Sequence, residues 1–136
     1  MYEKYLIIGN VGRDPEMRYT PSGQAVTSFS VAVNHEYTNS GGEKIKDTKW
    51  VRVVTWGKLA ENCNQYVKKG MKVLAEGRLN ADKETGNPVV FQRKDGTSGS
   101  AFEMTAQIVR FLSSSHSDDG GMVEAAQEVG GEPVPF

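Results

Sequence analysis

The ten residues Lys49–Lys58, KWVRVVTWGK, constrain the fold more than any other stretch of this chain. Side chains along a β-strand point alternately to the two faces of a sheet. Laid out as a strand, Val51, Val53 and Thr55 share one face, while Trp50, Arg52, Val54 and Trp56 share the other. The first set is small and β-branched, as the interior of a tight barrel requires. Were the second set core, Arg52 would be buried between two indoles, at a cost on the order of several kcal/mol unless paired. The sequence therefore predicts that Trp50, Arg52 and Trp56 face outward.

The neighbouring segments also read as strands. EKYLIIGNV is a buried strand that runs into the breaker GRDP, and PSGQ is a turn. In AVTSFSVAVNHEY, Thr27, Phe29, Val31 and Val33 alternate with Ser28, Ser30, Ala32 and Asn34. TNSGGEK reads as a hairpin tip leading into the strand TKWVRVVTW. GKLAENCNQYVKKG carries Leu59, Cys63, Tyr66 and Val67 on one helical face, with Lys68 and Lys69 at its C-terminal end and Gly70 as its stop. The strand MKVLAEGRL follows, then a long loop from Asn80 to Ser100 and a last strand, AFEMTAQIVRFL. The order is three strands, a helix, then two strands. It predicts an all-β chain built as a five-stranded Greek-key barrel, the OB-fold, with one helix between strands 3 and 4. An open sheet packed on a helix fits the same order.

At FLSSSHSDDGGM the apolar pattern stops, which sets a domain at residues 1–112 and a tail at 113–136. The tail is expected to be disordered, since its few apolar residues cannot offset the entropy of ordering. MVEAAQEV within it is too short for more than a transient helix. Charge divides at the same point. All 16 Lys and Arg lie at or before Arg110, giving residues 1–112 a net +4 and the tail −5. A mildly basic body with an acidic tail suggests two different partners.

Other classes are disfavoured. No window is apolar enough for a membrane span. Glu3 and Lys4 precede only a short apolar run, so no signal peptide is expected. One cysteine, Cys63, and two separated histidines, His35 and His116, build no zinc cluster, and no metal, cofactor or catalytic set is expected. Asp14 and Glu16 beside Arg13 and Arg18 read as surface ion pairs rather than catalytic carboxylates. Gly9 and Gly12 are not a phosphate-binding signature, because no helix follows them.

Outward aromatics beside a cation suit unpaired nucleobases, whose flat faces stack regardless of sequence at ~1–3 kcal/mol per base. Arg52 adds a phosphate contact or a stacking plane. Tyr37, at the end of the second strand, and Phe91, beside Arg93 and Lys94 in the long loop, are further candidates. Protein interfaces are also rich in Trp and Arg, so a subunit contact is the competing reading of Trp50 and Trp56.

IIGNVGRDPEMRYTPSGQAVTSFSVAVN, WVRVVTWGKLAENCNQYVKKG and VLAEGRL together resemble the bacterial-type single-stranded DNA-binding protein (SSB) family. The resemblance spreads over roughly residues 4–112. It implies an OB-fold, assembled as a homotetramer, that wraps single-stranded DNA without catalysis in the bacterial cytoplasm, a phage or an organelle. The stacking aromatics it implies are Trp50, Trp56, Tyr37 and Phe91. The backbone contacts it implies are Arg52, Lys58, and Lys68 or Lys69, to which the loop's Arg93 and Lys94 are added. Tails of the family end in an acidic run and a Pro-Phe tip that docks on replication, recombination and repair proteins, and Glu132, Pro133, Val134, Pro135 and Phe136 match that tip. Gly130 and Gly131 depart from the denser acidic run usual there.

Overall fold

Seven strands and one helix make up the computed structural model, which describes residues 1–113. In chain order they are β1 (Tyr5–Val11), β2 (Glu16–Tyr19), β3 (Ala25–Thr38), β4 (Lys44–Trp56), α1 (Gly57–Tyr66), β5 (Lys72–Leu79), β6 (Val89–Gln92) and β7 (Ser98–Phe111). The expected tail disorder, the transient helix and the Glu132–Phe136 tip lie outside the described residues.

Five strands close a barrel in the order β1-β5-β7-β4-β3, with β3 returning to β1. The closing pairs are Asn10↔Ala32 and Val11↔Val31, extended by a 2.9 Å bond from the Gly12 amide to the Ser30 carbonyl. Among the described residues only β4 and β7 pair in parallel. The barrel is thus the five-stranded one the sequence predicts, with the helix between its third and fourth strands. The open-sheet alternative is excluded by the β1–β3 pairing.

The inward set is the expected one. Val51, Val53 and Thr55 from β4 and Thr27, Phe29 and Val31 from β3 are buried, and Val73, Ala75 and Met104 join them. The Thr27 hydroxyl donates to the Ala60 carbonyl at 2.7 Å, which pins α1 to the barrel. The β1 segment, read as a wholly buried strand, instead alternates: Ile7, Gly9 and Val11 are buried, while Leu6 and Ile8 stand exposed.

Two strands extend the barrel where the sequence suggests turn or loop. β2 adds an edge to β3 alone, with Glu16↔Ser28 and Arg18↔Val26 in register. β6 pairs with the start of β7, so the expected loop from Asn80 to Ser100 is largely a hairpin. The helix also ends at Tyr66, earlier than expected. Val67 is fully buried and takes extended backbone (φ −74°, ψ 133°), which draws Lys68 and Lys69 past the helix into a turn.

Cys63 sits on the helix face as expected, fully buried in the core. Burial pushes its thiol up to about 12, and a hydrogen bond with Thr55 only partly opposes this. The native thiol therefore stays un-ionised and resists thiol reagents at mildly alkaline pH, reacting only as the chain unfolds. Stability falls as pH rises above about 9, the ordinary thiol value, because the unfolded chain then releases a proton that the folded one keeps. Labelling rates measured across a denaturant series check the first expectation, and denaturant midpoints from pH 8 to 10 check the second.

Candidate nucleic-acid interface

The outward face of β2, β3 and β4 is read directly from its pairing. Trp56 stands opposite Val26, Val54 opposite Ser28, Arg52 opposite Ser30 and Trp50 opposite Ala32. The β3 residues of this face are all small, so they form a low floor beside the larger β4 side chains. Arg18 and Glu16 of β2 rise on the far side of that floor, opposite Val26 and Ser28. Two depressions of about 170 and 250 Å³ lie along it and share Glu16, Ser28 and Arg52. Arg13 and Asp14 line the first, and Arg18 and Tyr19 the second.

Both tryptophans are exposed, Trp50 by 54% and Trp56 by 43%. Trp50 is nonetheless positioned from beneath. A Cβ placed on Gly12 would come within 2.5 Å of its Cζ3 and 2.9 Å of its Cη2. The ring thus rests on the Gly12 backbone, and only glycine permits that approach. Gly12→Ala displaces the indole and weakens any stacking on it by about tenfold, within the ~1–3 kcal/mol per stacked base. The check is tryptophan emission and oligonucleotide affinity of the variant, with Trp56→Phe to isolate the Trp50 signal.

Arg52 is held rather than free. Its Nη1 donates to Glu103 Oε1 at 2.8 Å and its Nη2 lies 3.3 Å from the Ser28 hydroxyl. Glu103 Oε2 in turn accepts from Asn80 Nδ2 at 2.9 Å, and Asn80 Oδ1 accepts from the Thr105 hydroxyl at 2.9 Å. The side chain remains about half exposed, so the network fixes a guanidinium plane between the indoles without burying it.

The remaining expected residues fall in three places. Lys58 is exposed on the first turn of α1, two residues from Trp56. Lys68 and Lys69 are exposed beside the Arg13–Asp14 turn, stitched to it by the Lys69 amide donating to Asp14 Oδ1 at 2.9 Å. Phe91, Arg93 and Lys94 lie on the β6–β7 hairpin, whose strand β6 pairs with β7 alone among the described residues. There Arg93 stands 5.4 Å from the Phe91 ring centroid and donates to the Ser98 carbonyl at 2.7 Å, which ties both to their own hairpin. Tyr37 is exposed on the β3–β4 arm, but by register it shares a face with Val33 and His35, opposite to that of Trp50. The structure therefore gathers Trp50, Arg52, Trp56 and Lys58 and leaves Phe91 and Tyr37 on separate arms. Gly12, Arg18 and Tyr19, to which the sequence reading gave no binding role, join the first group.

No group of three or more His, Cys, Asp or Glu among the described residues could hold a metal ion. No helix among them is long and apolar enough to cross a membrane.

Comparison with known proteins decides the family. The model of the single-strand binding protein family matches residues 2–112. This chain belongs to that family. It is 37% identical over 118 residues to the single-stranded DNA-binding protein of Neisseria meningitidis serogroup B, covering 87% of this chain and 64% of the relative. It is 46% identical over 88 residues to single-stranded DNA-binding protein 1 of Chlorobaculum tepidum, covering 62% and 54%. The chain thus spans somewhat more than half the length of these relatives. Among solved structures, the barrel is similar to a deletion mutant of the Thermus aquaticus single-stranded DNA binding protein (TM-score 0.64, 28% identity, 82% of this chain and 50% of that one). It shares its fold with the Plasmodium falciparum SSB, solved in complex with single-stranded DNA (TM-score 0.65, 22% identity, 82% and 96%).

Proposed function

We propose that this SSB-family chain binds single-stranded DNA with little regard to sequence, by stacking bases on Trp50 and Trp56 and taking up phosphates on Lys58, Lys68 and Lys69. The observation that carries this reading is the pair of half-exposed indoles on one outward strand face, with a fixed guanidinium between them. Stacking on such rings needs no base-edge contact, and the reaction is binding without catalysis. Phe91 with Arg93 and Lys94, and Tyr37, extend the path onto the two hairpin arms. Arg52, already paired with Glu103, serves as a stacking plane more than as a phosphate anchor.

Self-association into a homotetramer belongs to the same reading. From Tyr5 to Gly9, β1 is paired on one edge only, with β5, among the described residues. Its outward Leu6 and Ile8 are exposed, and Ile8 stands opposite the half-buried Leu74. An open strand edge beside an apolar face is a ready template for a second copy. Roles in replication, recombination and repair in the bacterial cytoplasm, at the nucleoid, are part of the proposal, and membership of the family supports them. Docking of partner proteins by Glu132, Pro133, Val134, Pro135 and Phe136 completes the proposal.

Titration of intrinsic tryptophan emission with oligo-dT, mixed-sequence strands, oligo-rU and duplex tests it. Single strands are expected to quench the emission and duplex is not. The logarithm of affinity falls against log salt with a slope of roughly −0.7 per phosphate contact. Equal affinity for duplex, or quenching by none of the strands, would sink the proposal. A solution mass equal to one chain removes the tetramer.

A further inference from the structure

Phe102 is a large aromatic side chain in an unexpected place. Its register partner is Val51, so it belongs to the inward set of β7 together with Met104. Met104 is fully buried, yet Phe102 is 51% exposed. The reason is topological. The β4–β7 pairing runs from Val51↔Phe102 to Val54↔Thr105 and stops there. Below it the β3–β4 and β6–β7 hairpins part, and Phe102 stands at the fork. It lines a cavity of about 580 Å³ with Val33, His35, Asp47 and Lys49, and another of about 400 Å³ with Leu79, Pro88 and Ala101. Both fall in the ~300–1,000 Å³ range of small-molecule sites. The Lys49 ammonium lies 5.6 Å from the Phe102 ring centroid.

We infer that Phe102, with Lys49, is a further stacking position for one nucleobase of the strand that the Trp50–Trp56 face takes up. This rests on the single-strand binding proposed above. The ring offers a base a flat apolar partner, and the ammonium at its rim meets the phosphate that accompanies the base. Asp47, in the same cavity but two residues further out along the arm than Lys49, repels phosphate from that end and leaves the place beside the ring to the base. Continuity with the main face favours nucleic acid over a peptide. Lys49 and Trp50 are successive residues on opposite faces of β4, and Glu103, next to Phe102, holds Arg52. A single strand passing the unpaired edge of β4 below Val51 reaches both faces. Tyr37 and His35, in edge contact at 6.3 Å between ring centroids, continue the same side toward the arm's tip.

The test uses the full chain and a long oligo-dT, with Phe102→Ala, Phe102→Tyr and Lys49→Ala compared to the parent. Phe102→Ala is expected to weaken binding roughly 5- to 150-fold, the span of one lost stack. Phe102→Tyr restores it, and iododeoxyuridine strands crosslink to residue 102 in the parent. Thermal melts confirm that each variant folds. Unchanged affinity in a folded Phe102→Ala that leaves the parent's tryptophan quenching intact overturns this inference alone. A parent that binds no single strand overturns the reading beneath it. A change in solution mass of Phe102→Ala without DNA assigns the face to a protein contact and equally overturns the inference.

Discussion

Replacing Trp50 and Trp56 together with alanine is expected to weaken binding to oligo-dT by about 2–6 kcal/mol, from roughly 30-fold to more than 10⁴-fold. The two losses should nearly add. Six residues along a strand span about 20 Å, so in the proposed complex the indoles would contact different bases and share no partner. Fold stability should change little, because both rings are about half exposed and neither belongs to the core cluster. That separation makes the experiment decisive. A variant that melts with the parent yet no longer binds has lost a surface, not a fold. These are the chain's only two tryptophans, so the readout must be anisotropy of labelled DNA rather than intrinsic emission. Binding of the double variant within about twofold of the parent would remove stacking as the source of affinity. Removing positive charge is expected to act differently. With Arg52 tied to Glu103 and with Asp14 and Glu16 lining the groove, the salt dependence falls mainly to Lys58, Lys68 and Lys69.

The alternation of β3 and β4 was legible because Val51, Val53 and Thr55, and Thr27, Phe29 and Val31, suit a barrel interior, while their neighbours Arg52, Ser28 and Ser30 are polar and two indoles flank Arg52. Period-2 patterning fixes a face wherever one side is buried. β2 escaped notice because EMRY carries two charged residues and follows Pro15, and it becomes a strand only by pairing with β3. β6 had a usable signal: Val89, Val90 and Phe91 favour strand, and the Asp95-Gly96 turn after them is a hairpin mark. The site was half visible. Alternation gave the direction of Trp50, Arg52 and Trp56. It could not give the Arg52–Glu103 bond, which joins residues 51 apart through the parallel β4–β7 pair. Nor could it show that Gly12, read as part of a breaker, is the floor under Trp50. Phe102 and Tyr37 expose the limit of the rule. Period-2 reading assigns a face but not where the barrel ends, and beyond its rim an inward side chain meets solvent.

Gly77→Ala is expected to cost about 3 kcal/mol or more of folding stability and to lower the melting temperature by more than 10 °C. Gly77 pairs with Ala106 where the β5–β7 register shifts between Glu76 and Gly77. This irregularity bends the two strands so that the sheet can turn back on itself. A Cβ at Gly77 would overlap the Thr105 carbonyl oxygen and approach Ala106 Cα to 2.8 Å and the Thr105 carbonyl carbon to 2.9 Å. Those atoms are backbone, so no rotamer change relieves the overlap and the two strands must separate. The damage is not local, because β5 joins β1 to β7 and parting it from β7 opens the ring. Small domains hold only about 5–15 kcal/mol in all, so the loss is a large fraction of the total. Gly23→Ala provides the contrast: it has φ +91° but no atom within 4 Å of a Cβ, so it carries only the backbone strain of its turn, ~1 kcal/mol. Denaturant titration of both variants checks the ordering, and a Gly77→Ala midpoint equal to or above that of Gly23→Ala would show that the barrel can absorb a side chain at its bend.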